Sequence, residues 1–193
     1  AVSTSSAGNA ASLSAADIRL GLDGMHFNMA YAGEQVAVAS PLLGRFNVDN
    51  LLAVAGVLLA DGMALDQVAD VLGRLTPVGG RMSRLGGADG RPLVVVDYAH
   101  TPDALEQALK TLRSHSQAKL ICVFGAGGDR DRKKRPLMAQ SAEEADVIVV
   151  TSDNPRSEHP ERIIDEIIEG FSPQSRSRVI RCVDRMEAFR IAL

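Results

Sequence analysis

The second half of this sequence predicts an α/β fold, a doubly wound, Rossmann-like and mainly parallel sheet, preceded by a shorter region of antiparallel strands and two helices. Three observations carry that expectation. Apolar residues fall at every second position between Asp17 and Leu43, at helical spacing between Asn47 and Leu75, and in short uninterrupted runs alternating with amphipathic stretches from Leu93 onward. An uninterrupted run suits a strand covered on both faces, which points to a parallel sheet between two layers of helices.

Taken in order, Ile18, Leu20, Leu22, Phe27, Met29, Tyr31, Val36 and Val38 alternate with polar or small neighbours, with Gly24 and Gly33 as turns. These residues predict antiparallel strands. Leu51, Leu52, Ala55, Leu58 and Leu59, then Val68, Val71 and Leu72, predict two packed helices parted at Asp61 and Gly62. Pro77, Gly79 and Gly80 break the pattern, placing a domain boundary near residue 80 and dividing the chain into 1–79 and 80–193. Beyond it, 93–96, 120–124, 147–150 and 179–183 are four expected parallel strands. Helices are expected from Pro102 to about Arg113, through 138–145, over 161–171 and from Arg185. Residues 1–16 resemble neither a targeting signal nor a strong helix. Both ends read as cuts through a longer protein, because no methionine opens the chain and Leu193 falls inside an expected helix.

With 193 residues, 46% of them hydrophobic, the chain can bury a real core. A formal charge of −3 and only 4% aromatic residues argue against a nucleic-acid partner. Cys122 and Cys182 lie in apolar stretches without metal-ligand spacing and read as reduced core thiols. No apolar stretch is long enough for a membrane span and no signal peptide is visible, so a soluble, cytoplasmic protein without a membrane partner is expected.

In doubly wound sheets ligands bind outside the carboxyl ends of the strands, and here the unusual residues gather there. Three expected strand-end loops are involved: Asp97 to Asp103, Gly125 to Arg130, and Thr151 to Arg156. The glycines of 125–128 can expose backbone N–H groups and, with Arg130, hold an anion; a glycine turn followed by a solvated charge run is the plainer alternative. Asp153, Asn154, Pro155 and Arg156 suit a zwitterion bearing ammonium and carboxylate, or else a helix-capping turn. His100 is a phosphate contact, a base or a structural loop histidine, and no nucleophile partners it. His26, His115 and His159 read as surface or packing residues. Asn47 is a good N-cap and Asn50 an ordinary first-turn residue.

Together, the segments Leu-Gly-Arg-Phe-Asn-Val-Asp-Asn at 43–50, Gly-Arg-Met at 80–82, Asp-Tyr-Ala-His-Thr-Pro-Asp-Ala-Leu at 97–105, Gly-Gly-Asp-Arg at 127–130 and Asp-Asn-Pro-Arg at 153–156 resemble the Mur ligase family. The resemblance runs from about Asp17 to Leu193. It implies a three-domain enzyme in which ATP, with Mg2+, phosphorylates a carboxylate and an incoming amine attacks the acyl phosphate. The implied reaction is ATP-dependent, ADP-forming ligation of meso-diaminopimelate to UDP-N-acetylmuramoyl-L-alanyl-D-glutamate in peptidoglycan precursor synthesis. By that likeness Asn47, Asn50, Arg81, Asp97 and His100 approach the nucleotide. Arg130, Asp153, Asn154, Pro155 and Arg156 hold meso-diaminopimelate. No catalytic residue or metal ligand is implied within this stretch.

The sequence departs from the family pattern in lacking a Gly-x-Gly-Lys-Thr phosphate loop, a UDP-sugar domain and a Gly-Lys-Gly-His-Glu segment. Residues 1–79 are therefore expected to end a central ATPase domain and 80–193 to make up most of a C-terminal domain, a piece inactive alone. The alternatives are a sister ligase that adds lysine, a folate polyglutamate ligase, or a non-catalytic nucleotide-binding module. An interaction scaffold leaves the rim residues unexplained.

Overall fold

Strands β2 (Leu13–Gly21), β3 (Gly24–Tyr31) and β4 (Glu34–Ser40) pair antiparallel in the computed structural model, which describes residues 3–7, 11–88 and 90–193. The two-residue strand β1 (Thr4–Ser5) runs parallel to β2 at the sheet's edge. Residues 1, 2 and 8–10 of the small-residue stretch lie outside the described residues. Strand β2 starts before the alternation becomes legible, and a bulge explains why. Leu13 and Ala15 are buried at odd positions, whereas Ile18 and Leu20 pack against the same core from even ones. The pairing with β3 slips between Ala16 and Arg19, where Asp17 takes a left-handed backbone with φ 55°. One extra residue reverses the inward parity of everything before it. Leu22, expected inward, is exposed.

Ala32 and Gly33, with φ 52° and 86°, form the two-residue turn between β3 and β4. Positive φ at both positions gives the turn a twist that matches its strands. Helices α1 (Phe46–Ala60) and α2 (Leu65–Gly73) bury Val48, Leu51, Leu52, Ala55, Val68 and Leu72 against Leu13, Met25, Phe27, Met29 and Val38. Each large side chain so buried contributes about 1.5–3 kcal/mol before the entropy of ordering it.

The expectation that 93–96 is the first strand of the parallel sheet is overturned. Strand β6 (Leu93–Val96) pairs antiparallel with β5 (Ser83–Gly86) in a separate two-stranded sheet, Ser83 opposite Val96 and Gly86 opposite Leu93. A short connection closes this hairpin at small entropic cost. Its residues are half-buried, and Val96 is 45% exposed, so neither face is sealed as a parallel strand's would be. A four-residue apolar run does not by itself distinguish the two cases. Arg84 anchors the hairpin: its Nη1 donates to the carbonyls of Asp23 at 2.8 Å and Pro41 at 3.0 Å, and its Nη2 to that of Leu22. All these elements belong to one compact unit, residues up to Asp97 with Ser114–Ser116.

The second unit, Tyr98–Arg113 with Gln117–Leu193, contains the parallel sheet. Strands β7 (Ile121–Phe124), β8 (Val147–Thr151) and β9 (Val179–Cys182) lie in that order, linked through α4 (Lys134–Ala142) and α5 (Pro160–Ile168). Helix α3 (Pro102–His115) precedes them and α6 (Arg185–Ala192) follows. The central strand is the most buried: Ile148, Val149 and Val150 are inaccessible. Ile163, Ile164 and Ile167 of α5, Met138, Ala139 and Ala142 of α4, and Leu105 and Leu109 of α3 complete the core. Pro160 opens α5 at a position whose N–H has no intrahelical partner to lose, and Asp184 caps α6 by accepting from the Glu187 N–H at 2.9 Å. Both cysteines are free; burial pushes the Cys122 thiol up to about 12, while Cys182 is only half-buried. Among the described residues no helix is long and apolar enough to cross a membrane.

Candidate functional site

Neighbouring parallel strands end on the same side, so the loops after β7 and β8 emerge together. They are interlocked. The Gly128 N–H donates to the Asn154 carbonyl at 3.1 Å, and Arg156 Nη1 donates to the Gly128 carbonyl at 2.6 Å. Ser157 donates its N–H and hydroxyl to the Asp129 carboxylate at 3.2 and 2.7 Å, while the Asp129 N–H donates to Glu158 at 2.7 Å. Arg130 and Asn154 thus share a rim. Gly128 permits the approach, because a Cβ there would lie 1.8 Å from the Pro155 carbonyl oxygen.

This geometry corrects several expectations. Gly128 and Asp129 spend their N–H groups on the adjoining loop, so those two amides are not an open anion cradle. The basic run is not simply solvated: Lys134 Nζ donates to the His100 carbonyl at 3.0 Å and Arg135 is wholly buried. Nor does 153–156 cap α5. His159 occupies the N-cap, and the turn closes on itself as the Glu158 N–H donates to the Pro155 carbonyl at 3.0 Å.

Beneath the rim, Arg135 Nη1 lies 3.0 Å from Glu158 Oε2 and 2.6 Å from Glu166 Oε2, and Nη2 lies 2.7 Å from Glu158 Oε1 and 3.4 Å from the Gly127 carbonyl. Arg132 also pairs with Glu166. The Arg135 guanidinium, helped by the Asp129 N–H, holds the Glu158 carboxyl at about 2, and Arg132 foremost lowers that of Glu166. A carboxyl depressed by folding contributes fully above its ordinary 4.5 and loses that contribution as pH falls toward 2. An acid titration followed by circular dichroism should show stability falling in this window, with Glu158→Gln flattening the fall. An unchanged titration in the variant would refute the assignment.

The rim side chains differ in freedom. Arg130 is exposed, with no ion-pair partner among the described residues. Asp153 sits 3.9 Å from Arg185 Nη1, both substantially exposed, a pair worth little. Arg156 adopts a left-handed backbone, φ 53°, and its guanidinium is oriented by the Gly128 carbonyl. His100 packs its ring against Tyr98, centroids 5.0 Å apart, with Nδ1 3.0 Å from the Tyr98 carbonyl oxygen.

The other expected nucleotide residues belong to the first unit. Helix α1 starts at Phe46 after Arg45, so Asn47 is not the N-cap. Its Nδ2 instead donates to the Leu43 carbonyl at 2.7 Å, and its Oδ1 accepts from Asn50 Nδ2 at 2.9 Å. Arg81 is exposed beside Gly80, and Asp97 accepts the Met82 N–H at 2.9 Å. Asp97 follows β6 and is therefore not a strand-end residue of the parallel sheet. Among the described residues no group of three His, Cys, Asp or Glu side chains could hold a metal ion.

The parallel α/β sheet brings two interlocked strand-end loops, with Arg130, Asn154 and Arg156, to one rim, the position at which sheets of this class carry their ligand sites. The chain belongs to the Mur ligase family: "Mur ligase, glutamate ligase domain" matches residues 80–193 and "Mur ligase middle domain" residues 1–58. It is 58% identical over 184 residues to UDP-N-acetylmuramoyl-L-alanyl-D-glutamate--2,6-diaminopimelate ligase of Xanthomonas oryzae pv. oryzae strain MAFF 311018, covering 95% of this chain and 37% of that protein. A solved structure of a ligase of that name superposes with a TM-score of 0.81 at 43% identity, over 99% of this chain and 39% of the other. Mycobacterium tuberculosis folylpolyglutamate synthase, solved with ADP and AMPPCP, shares the fold at 24% identity and a TM-score of 0.69, over 94% and 40% of the two chains. The chain thus spans well under half the length of these relatives.

Proposed function

We propose that this chain is part of a cytoplasmic, ATP-dependent ligase that joins meso-diaminopimelate to UDP-N-acetylmuramoyl-L-alanyl-D-glutamate during peptidoglycan precursor synthesis, 1–79 ending the ATPase domain and 80–193 making up most of the C-terminal one. The observation that carries this reading is the interlocked rim, which orients Arg156 through the Gly128 carbonyl beside Arg130 and Asn154. In this role Arg130 and Arg156 grip carboxylates as forked donors while Asp153, Asn154 and Pro155 shape the ammonium end. Asn47, Asn50, Arg81, Asp97 and His100 are assigned toward ATP. ATP supplies the phosphoryl group that activates the acceptor carboxylate. Mg2+ belongs to the proposed reaction, but the described residues fit no metal site and none is assigned to them.

The same fold would serve a lysine-adding ligase, so the amino acid is the discriminating variable. Expressed from the full reading frame, the protein should release phosphate from ATP only with the UDP-muramoyl dipeptide and meso-diaminopimelate together, and L-lysine should not substitute. The 193-residue chain, lacking a Gly-x-Gly-Lys-Thr loop, should stay at background. Equal turnover with lysine would exclude the diaminopimelate assignment, and phosphate release by the chain alone would exclude its status as a part.

A further inference from the structure

Arg135 is an odd residue to find fully buried in the first turn of α4. A buried ion network is a weak source of stability, because desolvating the charges costs about what their attraction returns. It is a strong constraint on geometry, since a planar guanidinium accepts partners only in fixed directions. Here those directions reach both rim loops: Gly127 in the loop after β7, Glu158 in the loop after β8, and Glu166 on the helix behind them. Glu158 closes the circuit by accepting the Asp129 N–H, and the Asp129 carboxylate accepts two hydrogen bonds from Ser157.

Two non-glycine residues of these loops hold left-handed backbones, Asp129 at φ 52° and Arg156 at φ 53°. Such conformations persist where surrounding contacts over-determine them. Asp129 immediately precedes Arg130, and Arg156 immediately precedes Ser157. We propose that Arg135, with Glu158, is a positioning residue that fixes the spacing of the two loops and so aims Arg130 and Arg156 at the carboxylates of the amino-acid substrate. The proposal rests on the diaminopimelate reading for its substrate, but the mechanical part stands by itself. Arg135 touches no substrate; its effect passes through Gly127, Asp129 and Glu158.

The test compares Arg135→Met, Arg135→Lys and Glu158→Gln in the full-length protein, with two readouts. Amide exchange at Gly128 and Asp129, whose N–H groups bridge the loops, should quicken by roughly tenfold or more in Arg135→Met, the factor set by about 1.4 kcal/mol of lost protection, while Val149 and Val150 in β8 stay protected. The KM for meso-diaminopimelate should rise by on the order of tenfold with the ATP KM nearly unchanged, and Arg135→Lys should restore only part. If Arg135→Met fails to fold, Glu158→Gln, which removes one charge and keeps the side chain's shape, carries the same comparison. Unchanged Gly128 and Asp129 exchange in a folded variant, or ATP and diaminopimelate KM values rising together, would overturn the proposal. If the wild-type protein does not use diaminopimelate, the functional reading fails while the exchange result still decides the mechanical one.

Discussion

Replacing Arg156 by alanine should weaken the use of meso-diaminopimelate by roughly thirtyfold to several thousandfold in the full-length protein, corresponding to about 2–5 kcal/mol for truncating one partner of a charged pair that the bound ligand covers. Diaminopimelate and lysine share an amino-acid end and a distal amine, but only diaminopimelate carries a second carboxylate beside that amine. A guanidinium pairs with that carboxylate through two parallel hydrogen bonds, and with lysine it faces an ammonium of like charge. One nitrogen, Nη1, already donates to Gly128, which fixes the plane of the group and leaves its other donors for the ligand. Arg156→Lys keeps a charge and loses the fork, so it should recover only a fraction. Steady-state kinetics with both amino acids and with varied ATP decide the matter; unchanged kcat and KM for diaminopimelate would reduce Arg156 to a surface residue of the turn.

Gly128→Ala should be among the most damaging single-methyl additions in the second unit. The new carbon would meet the Pro155 carbonyl oxygen at 1.8 Å and its carbon at 2.6 Å, and these are backbone atoms that cannot rotate away. Relief requires separating the loops, with loss of the Gly128–Asn154 and Arg156–Gly128 hydrogen bonds. A cost of about 3 kcal/mol is expected, near the upper end for overpacking, lowering the unit's melting temperature by on the order of 10 °C. Gly79→Ala is the control, since nothing lies within 4 Å of its added carbon. Matching melting curves for the two variants would mean that the loops part freely and that their interlocking has no energetic weight.

Much of this architecture was legible because it is written in local periodicity. The run Val147 to Val150 has no polar residue to offer water, and it becomes the inaccessible centre of the sheet. The loop at 153–156 could be singled out because a carboxylate, an amide, a proline and a guanidinium stand adjacent. What escaped was set by longer-range pairing. Leu93 to Val96 reads like any buried strand until its partner is known to be Ser83 to Gly86. Leu13 and Ala15 were hidden by a single inserted residue at Asp17. Arg135 looked like one more cation in a charged run because its acceptor Glu166 is 31 residues away. Alternating signs in Asp129-Arg130-Asp131-Arg132 were a hint of internal pairing, but charge pattern alone does not say which cation turns inward.

The carbonyl clamp on Arg84 bears on how this polypeptide can be dissected. Its acceptors, Leu22, Asp23 and Pro41, all lie upstream of residue 80, where the glutamate ligase match begins. An expression clone opened at residue 80 would keep the hairpin and discard every one of those oxygens, leaving the Arg84 guanidinium to find water instead. Family boundaries mark where sequences diverge in kinship; mechanical cohesion follows hydrogen bonds, and in this chain it continues to Asp97.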